Sequence, residues 1–330
     1  MPRLNAPVAA IRYFVFVCLA ATLLASSARA DDYPARPVTI LVPYAAGGGT
    51  DILARLLAQG LSERLGNSFI VENRPGGGTV LAANVTAKAA PDGYTLLMGT
   101  STPLAINATL HKSLPYNPSK DFVPLALVAK VPFVLVVNPA LPVKTTADLV
   151  KYAKANAGKL SFGTSGPGSP HHLYMELFKS MTGTEMVHVP YKGSVPALTD
   201  VMSGSIPVMF VDLAPALNLI RDGKVRALGV STDTRVPELA DVPPVADGVP
   251  GFEASAWQML VAPAATPQAV VDKLHAALKA IEALPATQQK IRSFGMIPVG
   301  SGSVAELDSF VKSEIGRWGD VVKKSGAVVD

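Results

Sequence analysis

The sequence predicts an α/β protein in which parallel sheets carry helices on both faces. Two observations carry that reading. Short apolar runs alternate with segments whose apolar residues recur every three or four positions. Gly-rich loops sit where an apolar run ends and a helical pattern begins. The composition agrees, with 49% of 330 residues hydrophobic and 16% charged. That balance excludes a disordered chain and supplies a core for two domains or one large one.

The first strand is Val38–Val42, which feeds the loop Pro43-Tyr44-Ala45-Ala46-Gly47-Gly48-Gly49-Thr50. Leu53, Leu56, Leu57, Leu61 and Leu65 then mark one face of a helix that Gly66 can end. Phe69–Val71 is a second strand, followed by Asn73-Arg74-Pro75-Gly76-Gly77-Gly78-Thr79 and an alanine-rich helix through Ala89. Tyr94–Met98 is a third, opening onto Gly99-Thr100-Ser101-Thr102-Pro103.

The middle of the chain repeats the scheme. Strands are expected at 134–137, 160–162, 186–189, 208–211 and 227–230. A helix over Thr146–Ala155 starts at a Ser/Thr-type cap. The loop Gly163 to Ser169 opens a second helix, with Leu173, Tyr174, Leu177, Phe178 and Met181 on one side. The last third holds two amphipathic helices, about Pro267–Leu284 and Val304–Lys324.

The first 30 residues read as an address. Arg3 and Arg12 precede the apolar run Tyr13–Leu24, which ends in Ala28-Arg29-Ala30, the pattern of a secretory leader cleaved before Asp31. The run is too short for a spanning helix. The lone cysteine, Cys18, lies inside it, so the mature chain has no thiol for a disulfide or a metal. Without Arg3, Arg12 and Arg29 the balance is 26 basic groups against 25 acidic, which disfavours a nucleic-acid binder.

The Gly-rich loops follow strands and open helices, and they are poor in lysine and arginine. Such a loop binds a small anion through free N–H groups and the positive end of the helix dipole. The first is not a Walker A, for no Lys-Ser/Thr pair follows. Neither of the first two is a dinucleotide fingerprint, because Ile52 and Leu81 stand where the third glycine belongs. Gly163-Thr164-Ser165-Gly166-Pro167 approximates a nucleophile elbow but has proline at the fifth position. A ligand-facing hydroxyl is the preferred reading of Ser165. The five histidines show no zinc spacing; His171 and His172, being adjacent, face different sides of a helix, with one expected at a cleft. For Asp51, in a first helical turn, a helix cap is preferred over ligand contact. Asp212, at a strand end, carries the same two readings, and either acid could select for an amino acid.

In this order the loops resemble the Bug-type receptors of tripartite tricarboxylate transporters, from Tyr33 to Gly326. The resemblance rests on Tyr33-Pro34 with Arg36-Pro37, the segment 43–51, Glu72 to Gly78, Pro91 to Leu97, Val189 to Gly193 and the tail from Trp318. Two departures stand out: Gly77 where alanine is frequent, and Pro244 and Asp247 where threonine and glutamate are expected.

The resemblance implies a type II periplasmic binding fold, with lobe 1 at 31–131 plus 232–330 and lobe 2 at 132–231. It implies a carboxylate pincer formed by Tyr44, Ala46, Gly47, Gly49, Thr50, Asp51, Gly77 and Gly78. Ser101, Thr102, Thr164, Ser165 and Ser169 would read the rest of the ligand, with Tyr191, Gly193 and Asp212 completing the cleft. The expected protein is a periplasmic monomer, not an enzyme, with no metal or cofactor. It captures a small organic anion and hands it to a membrane permease. Its rivals are a secreted hydrolase using Ser165 or Ser101, and a sensor's periplasmic partner.

Overall fold

The computed structural model describes residues 33–327 and Val329; the expected leader, with Cys18, lies outside the described residues.

Strand β1 (Val38–Val42) leads into helix α1 (Gly49–Leu65), which stops at Gly66 in the left-handed conformation, φ 72°. Strand β2 (Phe69–Asn73) feeds the second Gly-rich loop and α2 (Val80–Ala87). Strand β3 (Thr95–Thr100) runs into a π turn, Thr102–Ile106, and the single turn α3 (Asn107–Leu110). Strands β4 (Phe122–Val131) and β5 (Phe133–Val137) are separated only by Pro132.

Helix α4 (Thr146–Ala155) begins at a capping box: the Thr145 hydroxyl accepts from the Asp148 N–H, and Asp148 accepts from the Thr145 N–H. The alternation then continues through β6 (Ser161–Thr164), α5 (Pro170–Thr182), β7 (Val187–Pro190) and α6 (Ser194–Ser203). Next come β8 (Val208–Asp212), α7 (Leu213–Arg221) and β9 (Arg226–Val230). Strand β10 (Ala256–Pro263), α8 (Gln268–Glu282), α9 (Pro285–Ser293), β11 (Ile297–Pro298) and α10 (Val304–Ser325) complete the described chain.

The strands form two sheets, ordered β11-β4-β10-β3-β1-β2 and β7-β6-β8-β5-β9. The expectation of parallel sheets is corrected: both are mixed. β1 pairs parallel with β2 and β3, and β6 with β7 and β8. β10 pairs antiparallel with β3 and β4, and β5 with β8 and β9. A parallel neighbour demands a helical crossover. β4 instead passes through Pro132 straight into β5 of the other sheet, so its pairing is free of that demand. β4 also carries Pro124, opposite Val261 beside a register shift, where a missing N–H is tolerated.

Both faces of each sheet are covered, and the period of two shows it. Val38, Ile40 and Val42 of β1 pack with α1 and α8, while Leu41 faces a different cluster. In β5, Val134 and Val136 pack towards α6 and α7, whereas Phe133, Leu135 and Val137 face the other way. That second face belongs to one apolar cluster shared by both sheets, which includes Leu97, Phe210, Phe252, Trp257 and Trp318. The chain crosses between sheets twice, and the crossings are bonded together. The Phe133 N–H donates to Ser231 Oγ at 3.0 Å, and the Ser231 N–H to the Phe133 carbonyl at 2.8 Å.

Candidate functional site: a cavity between the two sheets

A cavity of about 1030 Å³ lies between the sheets, walled by loops from both. Tyr44, Gly47, Gly49, Thr50, Gly78, Ser101 and Thr102 line it from the six-stranded side. Ser165, Ser169, Gly193 and Asp212 line it from the other. Ala46, Asp51, Gly77, Thr164 and Tyr191 do not line it, and for three of these the reason is a bond made elsewhere.

Asp51 is 3% exposed and faces inward. Its carboxylate accepts from the Gly47 N–H (2.9 Å), Asn73 Nδ2 (3.0 Å) and Arg55 Nε (3.0 Å). Burial alone would raise its pKa, but Arg55, the Gly47 amide and Asn73 outweigh that and hold it below the usual carboxylate value. Asp51 therefore shapes the loop, and in doing so it occupies the Gly47 amide. The donors left to the cavity are those of the α1 N-terminus. Gly48 caps α1 without a side-chain bond, and the first intrahelical bond runs from the Ile52 N–H to the Gly48 carbonyl. The first-turn amides thus have no acceptor within the helix.

The second loop takes four successive residues, Gly76 to Thr79, through positive φ (146°, 54°, 61° and 80°). Thr79 is the one non-glycine of the described residues in that region, and Asn107 braces it. Asn107 Nδ2 donates to the Gly78 carbonyl at 3.1 Å and lies 3.3 Å from Thr79 Oγ1. Tyr44 OH pairs with Thr100 Oγ1 at 2.9 Å, and burial raises its pKa.

On the opposite wall the loop before α5 uses most of its own amides. The Gly166 N–H donates to Thr164 Oγ1, the Gly168 N–H to His172 Nδ1, and the Ser169 N–H to the Gly166 carbonyl. Thr164 is fully buried and its hydroxyl lies 2.6 Å from His188 Nε2. The His188 ring stacks on His172 at 4.0 Å; burial first, then His172, pushes its pKa down to about 4. Tyr191 OH donates to Asp200 at 2.6 Å, and this bond leads the causes that push its pKa up to about 12. Of the adjacent histidines, His171 lines the cavity and His172 joins the stack. Ser165 Oγ lies 2.9 Å from His171 Nδ1, and His171 Nε2 lies 3.2 Å from Asp212 Oδ2.

Beside the expected Ser101, the wall contains Asn107, His111 and Gln258, which the sequence reading did not assign to it. Ser101 Oγ, Asn107 Oδ1, His111 Nε2 and Gln258 Oε1 are buried atoms without a hydrogen-bond partner, and all four residues line the cavity. Burial lowers the His111 pKa, which keeps that ring neutral at pH 7. No lysine or arginine of the described residues lines the cavity. Among the described residues, no group of three or more His, Cys, Asp or Glu could hold a metal, and no helix is long and apolar enough to cross a membrane.

Two mixed α/β sheets with a ligand-sized cavity between them, walled by loops at strand ends, define the class of the type II periplasmic binding proteins. Residues 53–327 match the family described as tripartite tricarboxylate transporter family receptor, and the chain belongs to that family. It is 37% identical over 313 residues to Protein BugT of Bordetella pertussis (strain Tohama I), covering 94% of this chain and 96% of that one. The structure of R. palustris Rpa4515 with adipate is similar at TM-score 0.78 and 40% identity, covering 89% of this chain and 99% of that one. The structure of MatC (Rpa3494) from Rhodopseudomonas palustris with bound malate gives TM-score 0.74 and 33% identity, covering 88% and 100%.

Proposed function

We propose that this chain is a periplasmic receptor that captures a small organic carboxylate between two lobes and delivers it to a tripartite membrane transporter. The lobes are 31–131 plus 232–330, and 132–231. One observation carries the reading: four buried polar atoms without partners line a cavity that no lysine or arginine of the described residues lines. Buried polar groups are almost always bonded, so such a wall suits a polar guest. An anion there is held by amides and hydroxyls, with the first-turn amides of α1, Gly78 and the Ser101 and Thr102 hydroxyls as donors. The bound adipate and malate of two relatives support the ligand class. Closure follows if the ligand touches both walls only when they are close, which shifts that equilibrium.

A second reading has a specific observation behind it. Ser165, His171 and Asp212 form a serine–histidine–aspartate relay, as a hydrolase would require. Acyl transfer also needs free donors for the oxyanion. Around Ser165 those amides are bonded internally, at Gly166, Gly168 and Ser169, and residue 167 is proline. The receptor reading is therefore the stronger.

The test is a thermal-shift screen of residues 31–330, exported and purified, against carboxylates paired with their neutral amides. A ligand at 100 times its Kd adds about 2.7 kcal/mol. A shift with an acid but not its amide, and no turnover of that acid, is expected. Turnover that disappears in Ser165→Ala would establish the hydrolase instead.

A further inference from the structure

The four unpartnered atoms of the cavity wall differ in what they can become. Asn107 Oδ1 and Gln258 Oε1 are amide oxygens that can only accept, and Ser101 Oγ is a neutral hydroxyl. His111 Nε2 alone of the four belongs to a group that can gain a positive charge near neutral pH. Its place is beside the second Gly-rich loop. A Cβ built on Gly78 would lie 3.8 Å from His111 Nε2 and meet nothing else within 4 Å beyond its chain neighbours. Asn107 closes this corner: its Nδ2 donates to the Gly78 carbonyl at 3.1 Å, and its own carbonyl accepts from the His111 N–H at 3.3 Å. The His111 backbone is paired as well, in a parallel bridge to Val329.

Charge makes this placement consequential. A carboxylate taken out of water needs a counter-charge or a full set of donors. No lysine or arginine of the described residues lines the cavity, and Asp212 already places a carboxylate in it. The other histidine of the wall, His171, faces that carboxylate at 3.2 Å. Tyr44 completes the titratable groups of the wall; burial raises its pKa, so it stays neutral. Lys112, next to His111 in the chain, is exposed. Burial is the one cause that lowers the His111 pKa, and none of these groups adds to it. A guest carboxylate within hydrogen-bond reach reverses that balance, because a close opposite charge favours the imidazolium.

We propose that His111 is a ligand-binding residue that receives the carboxylate beside Gly78 and takes up a proton as it does so. The cavity then gains a positive charge only when an anion enters it. This rests on the receptor reading and adds the means by which the site balances the charge of its ligand.

Titration calorimetry of residues 31–330 at pH 6.5, in buffers of low and high ionisation enthalpy, counts the protons. The probes are adipate, malate and the acid that shifts most in the carboxylate screen. Uptake of about half a proton per bound acid is expected. Affinity is expected to rise about three- to tenfold from pH 8 to pH 6, tenfold being the limit for a pKa moved by one unit. His111→Gln keeps a polar side chain that cannot ionise, so it should bind without uptake and lose that pH dependence. It is titrated with the same acid, so protonation of the acid itself cancels in the comparison. His171→Gln should keep the uptake. Tight binding without uptake overturns the proposal and leaves the receptor standing, as does uptake that survives in His111→Gln. The wild-type proton count decides between these outcomes even where a variant does not fold. If no carboxylate binds, the receptor reading fails and the proposal falls with it.

Discussion

Gly168 and Leu110 touch across the cavity so closely that a Cβ on Gly168 would come within 2.5 Å of Leu110 Cδ2 and 2.8 Å of Cδ1. Gly168 belongs to the loop before α5 and Leu110 to the end of α3, so the contact joins the two walls. On another part of the rim Gly295 and Ala214 meet in the same way, with a Cβ at Gly295 reaching 3.1 Å from Ala214 Cβ. Gly168→Ala is expected to prop the walls apart and weaken binding of the carboxylate found in the screen by about tenfold or more, the range of a modest overpacking. Gly223→Ala is the control. Gly223 has a similar positive φ, 68° against 71°, but nothing within 4 Å of its Cβ position, so backbone strain alone should leave affinity unchanged. Adding Leu110→Ala to Gly168→Ala should restore most of the affinity; titration of the four proteins checks it.

Asp51 should matter for stability more than for ligand contact. Its carboxylate joins the Gly47 amide, Arg55 and Asn73. Asp51→Asn is expected to cost about 1–3 kcal/mol in urea unfolding at pH 7, as for loss of a buried, charge-assisted acceptor. The pH sign follows from the lowered pKa. A depressed carboxyl stabilises the fold above the ordinary carboxylate range and loses that contribution as pH falls through its folded value. The gap between wild type and Asp51→Asn should therefore narrow in acid. A constant gap down to about pH 2 would count against it.

These two sites show what the sequence made legible. Gly66 and the Thr145 cap mark helix boundaries through local chemistry, and the chain reads them without tertiary help. For Asp51 the sequence favoured a helix cap, whereas Gly48 is the cap of α1 and the Asp51 carboxylate bonds Gly47, Arg55 and Asn73, partners that lie partly outside its own helix. Strands β4 and β10 were not legible, because Pro124 interrupts one and because antiparallel pairing to a distant strand leaves no local sign. Gln258 and Asn107 went unnoticed with them. Each is a polar residue inside an apolar run, Trp257 to Pro263 and Pro103 to Leu110, and that mismatch was the available signal. Tyr191 was carried to the cleft by resemblance alone, and its hydroxyl is spent on Asp200, nine residues along the chain.

The shared core should unfold as one body through Glu314. One carboxylate oxygen, Oε2, accepts from Trp257 Nε1 at 2.8 Å and from Trp318 Nε1 at 2.9 Å, and Arg317 completes the group. Trp318 stacks on Tyr174 of α5 at 5.3 Å, which ties the last helix to the second sheet's helices. Glu314→Ala leaves two buried indole N–H groups without an acceptor and should cost about 3 kcal/mol or more. Glu314→Gln keeps an acceptor oxygen and should cost less than half of that. Urea unfolding followed by tryptophan fluorescence and by circular dichroism measures both, with coincident transitions expected.

Glu282 works in the opposite sense to Asp51 and predicts a stability that falls as pH rises. It is 5% exposed at the end of α8, and its two carboxyl oxygens accept from the Ser301 N–H and hydroxyl, each at 3.1 Å. Burial raises its pKa from 4.5 to about 7, against the smaller opposing effect of Ser301. A carboxyl whose pKa is raised on folding binds its proton more tightly in the native state. Its contribution is complete below the unfolded value, near 4.5, and is lost as pH rises towards 7. A shift of that size corresponds to roughly 3 kcal/mol across the window. Glu282→Gln keeps the shape and the oxygen acceptor but cannot ionise. Relative to wild type it should gain stability steadily from pH 4.5 to 7 and hold a constant advantage above that. Urea midpoints at five or six pH values would show the slope, and parallel curves for the two proteins would mean that Glu282 titrates normally.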